Sequence, residues 1–288
     1  MTSRLETVAL PGGERVPKLG QGTWEMGERP AKRAAEIAAL REGVDLGMTL
    51  IDTAEMYGDG ATETLVGDAL ADVRERLFIV SKVLPHHASR GGVVAACEAT
   101  LKRLRTDRVD LYLLHWRGSI PLAETIAGFE ALRDAGKIRY WGVSNFDVDD
   151  MEALVAEAGG AVCATDQILY NLARRGPEFD LLPWLAQREM PAMAYSPIDH
   201  MRLPKRTALD EIARERGVSP TRVALAWVLG QPNVLAIPKA GSVEHVRDNR
   251  AALDLVLGEE ELARLDAQFK SPRGSGRLKC CSACGAAR

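Results

Sequence analysis

Apolar positions in this chain fall into two kinds of segment that alternate along its length. Short, nearly continuous apolar runs recur at Lys18–Thr23, Thr49–Thr53, Leu77–Val83, Val109–His115, Tyr140–Ser144, Val162–Gln167, Pro191–Tyr195 and Val234–Pro238. Between them lie stretches with apolar residues at helical spacing, at Lys32–Leu46, Glu63–Ala71, Gly92–Leu104, Leu122–Ala135, Val148–Ala158, Leu181–Arg188 and Leu209–Leu229. Two more helical stretches, Val243–Leu253 and Glu259–Phe269, follow the last run. Runs that are apolar on both faces predict parallel strands covered on both sides. Pro11-Gly12-Gly13, within Val8–Val16, predicts a hairpin ahead of the first strand. Helix limits are also legible: Ser219-Pro220 is a cap followed by proline at the first helical position, and Gly136, Gly159 and Gly217 stand where helices should stop.

Eight strands alternating with helices predict the α/β class, and specifically a (β/α)8 TIM barrel with an N-terminal β-hairpin and extra C-terminal helices. An open, doubly wound sheet is the alternative, and it requires a glycine-rich fingerprint after the first strand. Gly20-Gln21-Gly22 begins one, but Glu25 occupies the third glycine position. The barrel is preferred. No low-complexity linker interrupts the pattern before about Lys270, so residues 1–288 read as one domain. Ser271–Arg288, with Pro272 and Leu278 as its only large aliphatic residue, reads as a flexible tail that leaves the cleft open.

Composition narrows the function classes. Hydrophobic residues are 46% and charged residues 27%, the balance of a globular protein with a filled core. A net charge of -3 and a pI near 6.0 give no electrostatic footprint for nucleic acid or an anionic membrane. Met1–Glu6 has no apolar export segment, and no stretch approaches ~18 uninterrupted apolar residues. Of five cysteines, Cys97 and Cys163 lie in apolar runs, while Cys280, Cys281 and Cys284 crowd the C-terminus. That unbalanced set does not resemble a disulfide framework, and a reducing, cytoplasmic setting is expected. The terminal cysteines have no histidine or second cysteine pair beside them, and His86 and His87 lack further ligands, so no metal site is expected.

In a parallel barrel, functional groups collect at the carboxyl ends of the strands. Asp52 closes the second strand, Tyr57 follows it, Lys82 closes the third and His115 the fourth. Singly, each has a structural explanation: an ion pair, a wet loop tyrosine, a capping histidine. Four on three adjacent strand ends favour chemistry. Reducing a carbonyl leaves negative charge on oxygen, which must be stabilised and protonated. A phenol, with an ordinary pKa of about 10, is a poor acid near neutrality unless a cation lowers that value. Lys82 can supply the cation, Asp52 can hold it, and His115 can hydrogen-bond the carbonyl oxygen. The hydride needs a cofactor, since no side chain supplies one.

From about Val16 to Asn249 the sequence resembles the aldo-keto reductase family. The resemblance lies in Gly20-Gln21-Gly22-Thr23-Trp24, Asp52-Thr53-Ala54-Glu55-Met56-Tyr57-Gly58, Ser81-Lys82, Leu114-His115-Trp116, Gly142-Val143-Ser144-Asn145-Phe146 and Ile237-Pro238-Lys239. It implies a barrel that binds NADPH/NADP+ in extended form and reduces aldehydes or ketones, with Tyr57 as the acid. It implies that Ser144, Asn145 and Gln167 hold the nicotinamide amide, that Tyr195 stacks on its ring and that Ser196 lies near the pyrophosphate. Lys239 would meet the adenosine 2′-phosphate and Asn249 the adenine. Gly22, Thr23, Asp52, Ser242, His245 and Asp248 complete the implied cofactor contacts. Trp24 and Trp116, with Tyr57 and His115, would line the substrate pocket. Two positions depart from the family pattern, His245 where many relatives carry arginine and Asp248 where glutamate is common, which puts the NADP preference in question. Small aldehydes, ketoaldehydes or dicarbonyls are the expected substrates and a monomer the expected state. A cofactor-binding barrel serving as a regulatory or structural subunit is the alternative. Reduction of activated C=C bonds is disfavoured, because the histidine position holds His115 rather than an acid.

Overall fold

The computed structural model describes residues 6–199, 208–271 and 274. A hairpin opens the fold: β1 (Thr7–Ala9) pairs antiparallel with β2 (Arg15–Pro17), with Val8 opposite Val16. Eight parallel strands follow: β3 (Gln21–Gly22), β4 (Leu50–Asp52), β5 (Phe78–Val83), β6 (Val109–Leu114), β7 (Ile138–Ser144), β8 (Asp166–Leu169), β9 (Ala192–Tyr195) and β10 (Val234–Ala236). Each strand pairs with its sequence neighbour. The sheet then closes on itself. The Ala236 N–H donates to Lys18 O at 2.8 Å, the Gly20 N–H to Ala236 O at 2.8 Å, and the Gly22 N–H to Pro238 O at 3.0 Å. Closure requires glycine at position 22, where a Cβ would lie 2.6 Å from the Ile237 carbonyl oxygen.

The helices between strands are α1 (Arg33–Asp45), α2 (Ala61–Leu70), α3 (Arg90–Leu104), α4 (Leu122–Asp134), α5 (Val148–Ala156), α6 (Leu181–Ala186), α7 (Ala208–Arg216) and α8 (Pro220–Leu229). Beyond β10 come α9 (Val243–Ala251) and α10 (Glu259–Gln268). No helix among the described residues is long and apolar enough to cross a membrane.

Two elements differ from the pattern expected of the sequence. The sixth barrel strand, expected at Val162–Gln167, runs instead over Asp166–Leu169. Left-handed Gly159 turns the chain into a short 3-10 turn at Gly160–Val162, leaving Val162 48% exposed. The apolar run there is an exposed turn at Ala161 and Val162 followed by a buried lead-in to the strand at Cys163, Ala164 and Thr165, and periodicity cannot separate turn from strand over so few residues. The stretch Leu209–Leu229 is two helices: Gly217 adopts φ +65° after α7, and Ser219 caps α8 by accepting the Arg222 N–H at 3.0 Å.

Side chains alternate across each strand, and this creates two cores. Val80, Leu111, Leu113, Met193, Leu235 and Ile237 fill the barrel interior, joined by Val8, Leu10 and Val16 of the hairpin segment. The outward set, including Ile79, Val83, Tyr112, Val143 and Ala192, packs under the helices. Each buried aliphatic or aromatic side chain contributes roughly 1.5–3 kcal/mol. Cys97 and Cys163 are core members as expected, and burial pushes both thiols up to about 12. Arg175 ties α10 down through Asp266 and the Phe269 carbonyl, both at 2.6 Å. Apart from Ser271 and Gly274, the expected tail and its three cysteines lie outside the described residues.

Candidate active site

The interior alternation dictates where the chemistry sits. On each strand, the residue two positions after an inward apolar side chain is again inward, one layer nearer the carboxyl end. Asp52 follows Leu50, Lys82 follows Val80, His115 follows Leu113 and Tyr195 follows Met193, so the top layer of the barrel is polar where the layers below are apolar. The loops above this layer hold the backbone strain. Glu25 (φ +61°), Asp59 (+50°), Asn145 (+63°) and Ser196 (+47°) are left-handed non-glycine residues after β3, β4, β7 and β9. Strain of this kind, ~1–3 kcal/mol per residue, persists where surrounding structure enforces it, commonly at functional sites.

Lys82 is fully buried, and its ammonium is surrounded by acceptors. It donates to both Asp52 carboxylate oxygens at 2.8 and 2.9 Å, to the Thr53 carbonyl at 2.8 Å and to the Tyr57 hydroxyl oxygen at 3.2 Å. The phenol oxygen thus accepts from a cation, the orientation in which its own O–H is a donor. Burial raises the Asp52 carboxyl above the ordinary carboxylate value, while Lys82 and the Gln167 amide oppose that rise. Gln167 Nε2 donates to Asp52 Oδ1 at 2.7 Å. The His115 ring meets the Tyr57 ring edge-on with centroids 5.9 Å apart, and Trp116 lies against His115 at 4.9 Å. Burial, reinforced by the Lys82 charge, holds the His115 imidazole well below its usual pKa, so it is neutral at pH 7. A neutral imidazole keeps one N–H donor and one acceptor. Its Nδ1 is buried without a hydrogen-bond partner among the described residues.

The expected tetrad is therefore one contiguous cluster. Beside it, Asn145 Nδ2 donates to the His115 carbonyl at 3.1 Å and to Ser144 Oγ at 2.9 Å, and Asn145 Oδ1 accepts the Tyr195 hydroxyl at 2.8 Å. Ser144 Oγ donates to the Gln167 carbonyl at 2.8 Å, and the buried Thr23 hydroxyl to the Asp52 carbonyl at 2.8 Å. Asn171 holds the Ser196 carbonyl at 2.9 Å. Trp24 is half-buried in the loop after β3, and Trp116 is buried.

The remaining expected cofactor residues form a second group reached across the barrel seam. Gly22 is paired with Asp52 on one side and Lys239 on the other. Lys239 is exposed, as is His245, whose backbone N–H donates to the Ser242 cap at 3.3 Å. Asn249 is buried. Asp248 already has partners: Arg222 donates to it at 2.6 Å and Ser219 Oγ at 2.5 Å, which ties α9 to α8. Four polar links are not foreseen from the sequence: the Thr53 carbonyl on Lys82, Arg222 on Asp248, Glu55 and Glu63. Glu55 accepts the Leu84 N–H at 2.7 Å and faces His87 Nδ1 at 3.0 Å. Among the described residues, no group of three or more His, Cys, Asp or Glu is arranged to hold a metal ion.

Asp166, next to Gln167 but facing the helices, is buried, and neither carboxyl oxygen has a hydrogen-bond partner within normal geometry among the described residues. Burial holds its pKa well above the ordinary value against the opposing backbone N–H of Phe146, with Asp150 and Asp147 adding repulsion. A raised folded-state pKa means that stability is full below the unfolded value of about 4 and falls as pH rises toward the folded one, by ~1.4 kcal/mol per unit. Asp166→Asn should therefore unfold at higher denaturant than wild type at pH 8, with a smaller advantage at pH 5. Equal midpoints at both pH values would show that Asp166 is not held protonated.

Residues 18–269 match the model of the aldo/keto reductase family, and the chain belongs to that family. Methylglyoxal reductase YeaE of Escherichia coli K12 is 50% identical over 276 residues, covering 94% of this chain and 97% of that protein. Glyoxal reductase of Bacillus subtilis is 31% identical, over 94% of this chain and 96% of that protein. An aldo/keto reductase from Klebsiella pneumoniae, solved in complex with NADP and acetate, superposes with a TM-score of 0.93 at 50% identity, over 96% of this chain and 99% of that one.

Proposed function

We propose that this protein is a carbonyl reductase that uses NADPH to reduce small aldehydes, ketoaldehydes or dicarbonyls, with Tyr57 as general acid. One observation carries the assignment of Tyr57: the Lys82 ammonium, anchored by Asp52 inside the barrel, is 3.2 Å from the phenol oxygen. When bound, NADPH supplies the hydride. Charge then develops on the carbonyl oxygen, and Tyr57 donates its proton to that oxygen while the Lys82 ammonium stabilises the phenolate left behind. Neutral His115 orients the same oxygen by donating a ring N–H. A neutral donor suits this role, because it assists without competing with Tyr57 to transfer the proton.

The donor set also fits the cofactor. Ser144, Asn145 and Gln167 cluster beside the tetrad as amide and hydroxyl groups suited to a carboxamide, and the half-buried Tyr195 ring lies beside them. Thr23 and Gly22 would shape the floor, Ser196 would serve the pyrophosphate, and Lys239, Ser242, His245, Asp248 and Asn249 would hold the adenosine end. Lys239 and His245 are the exposed side chains suited to the 2′-phosphate. Trp24 and Trp116 wall the substrate. The 50% identical methylglyoxal reductase favours a ketoaldehyde as substrate. A reducing cytoplasm is the proposed setting.

The test is NADPH oxidation followed against methylglyoxal, aromatic aldehydes, aldoses and diketones, with NADH in parallel. Turnover should be greatest with the small dicarbonyls and with NADPH; no oxidation by any carbonyl would overturn the reading. Lys239→Met should weaken NADPH binding roughly ten- to hundredfold and NADH little, as expected for one lost charged hydrogen bond of ~1.5–3 kcal/mol. Equal losses for both cofactors would remove Lys239 from the 2′-phosphate.

A further inference from the structure

The Tyr57 loop is short, strained and secured from behind by a carboxylate that the proton-transfer chemistry does not use. After Tyr57, Gly58, Asp59 and Gly60 are all left-handed (φ +55°, +50° and +88°), and α2 begins at Ala61. Backbone bonds tie the turn locally, from the Asp59 N–H to the Met56 carbonyl at 3.4 Å and from the Ala61 N–H to the Tyr57 and Gly58 carbonyls, and its strained geometry is held further by what packs against it. Arg103 of α3 packs there: a Cβ at Gly60 would lie 2.6 Å from Arg103 Cδ. Glu63, in the first turn of α2, is fully buried and grips two elements at once. Its Oε2 accepts the Arg103 Nε–H at 2.6 Å, and its Oε1 accepts the Ser81 hydroxyl at 2.6 Å.

Ser81 precedes Lys82 on β5, and alternation aims their side chains to opposite faces of the sheet. Lys82 points into the barrel toward Tyr57, and Ser81 points out toward Glu63. One carboxylate is therefore bonded to the strand that carries the ammonium and to the side chain that walls the loop carrying the phenol. A buried ion pair is seldom the most stabilising way to fill a core, and apolar residues of equal volume often serve as well or better.

We propose that Glu63, with Arg103 and Ser81, is a positioning residue for proton transfer, setting the Tyr57–Lys82 contact from the outer face of the sheet. The inference rests on Tyr57 being the proton donor. Misplacement by about 1 Å can cost ~10²-fold in rate without loss of binding. Glu63→Gln, which keeps shape but removes the charge, should lower kcat by about ten- to hundredfold. KM and NADPH affinity, the latter read by fluorescence titration, should change by less than about threefold, as expected for groups that do not couple to the cofactor. The alkaline limb of the kcat–pH profile should move to higher pH, because the ammonium no longer steadies the phenolate. Arg103→Met should act alike, with Arg103→Lys recovering part of the loss.

Ser81→Ala deletes one hydroxyl and leaves the ion pair in place, so it serves even if Glu63→Gln fails to fold; it should show the same pH displacement with a smaller loss of kcat. A fall in melting temperature with kcat and the pH profile unchanged in the folded variants would reduce Glu63 to a structural role and overturn the proposal. Tyr57→Phe keeps the two readings separable. Activity surviving that change defeats the proton-donor assignment, whereas an inactive Tyr57→Phe beside a fully active Glu63→Gln defeats only the positioning role.

Discussion

Tyr57→Phe should lose carbonyl reduction by ~10²–10⁴-fold in kcat, the usual worth of a positioned general acid. The substitution deletes one oxygen. The ring stays, and with it the edge contact to His115 at 5.9 Å and the Lys82 ammonium 4.9 Å from the ring centre. Lys82 retains Asp52 and the Thr53 carbonyl as acceptors, so no buried charge is stranded. Stability should therefore change by less than ~1.5 kcal/mol, the ordinary net value of one hydrogen bond. NADPH affinity should hold, since Ser144, Asn145 and Gln167 are untouched. Single-turnover reduction of methylglyoxal, measured beside NADPH titration, checks each part. Turnover near the wild-type rate would mean that the proton comes from elsewhere, and His115 would be the next residue to examine.

Lys82→Met has a double cost, and the two parts can be measured separately. Methionine matches the length of the lysine stem but leaves the Asp52 carboxylate buried with Gln167 as its remaining side-chain donor. Breaking a buried pair from one side typically costs 3–5 kcal/mol. Burial already raises the Asp52 pKa, so the group escapes by taking a proton. The sign follows from that rise: a carboxyl with a raised folded-state pKa loses stability as pH increases. Lys82→Met should accordingly be most destabilised at alkaline pH and least so near pH 5. Adding Asp52→Asn should restore most of the lost stability, because a neutral amide needs no counter-ion, yet leave turnover depressed by at least ~10²-fold for want of a cation beside Tyr57. Denaturant midpoints at pH 5 and pH 8, with kcat of both variants, provide the test. A double variant that regains wild-type turnover would remove Lys82 from the mechanism.

Much of this site is legible in the sequence, because strand alternation carries position as well as face. Once Leu50, Val80 and Leu113 are read as barrel interior, Asp52, Lys82 and His115 must share that interior one layer higher, and closure of eight strands leaves them nowhere else to go. The hairpin plug and most helix limits follow from local chemistry in the same way: Gly217 ends one helix and Ser219-Pro220 starts the next, although apolar spacing alone runs straight through both. At Val162 the same local logic fails, because a short apolar run is compatible with a strand or a turn, and only the folded chain shows the left-handed Gly159 leading into a 3-10 turn there.

What periodicity does not encode is the partner of a polar group. Glu63 reads as an ordinary first-turn acid on an amphipathic helix, yet it is fully buried against Arg103, 40 residues away in sequence. Gln167 reads as a cofactor ligand, and its Nε2 is bonded to Asp52 across a separation of 115 residues. Asp166 and Asp248 look alike in sequence, but one lies beneath helices with no side-chain partner among the described residues while the other is held by Arg222 and Ser219. By itself, then, the sequence determined the barrel, the inward layer and the residues available to move a proton, since these depend on spacing along the chain. Which carboxylates are charged, which are neutral and which hold the Tyr57 loop in place was decided by tertiary structure alone, because charge state and geometry depend on burial and on neighbours that only folding brings together.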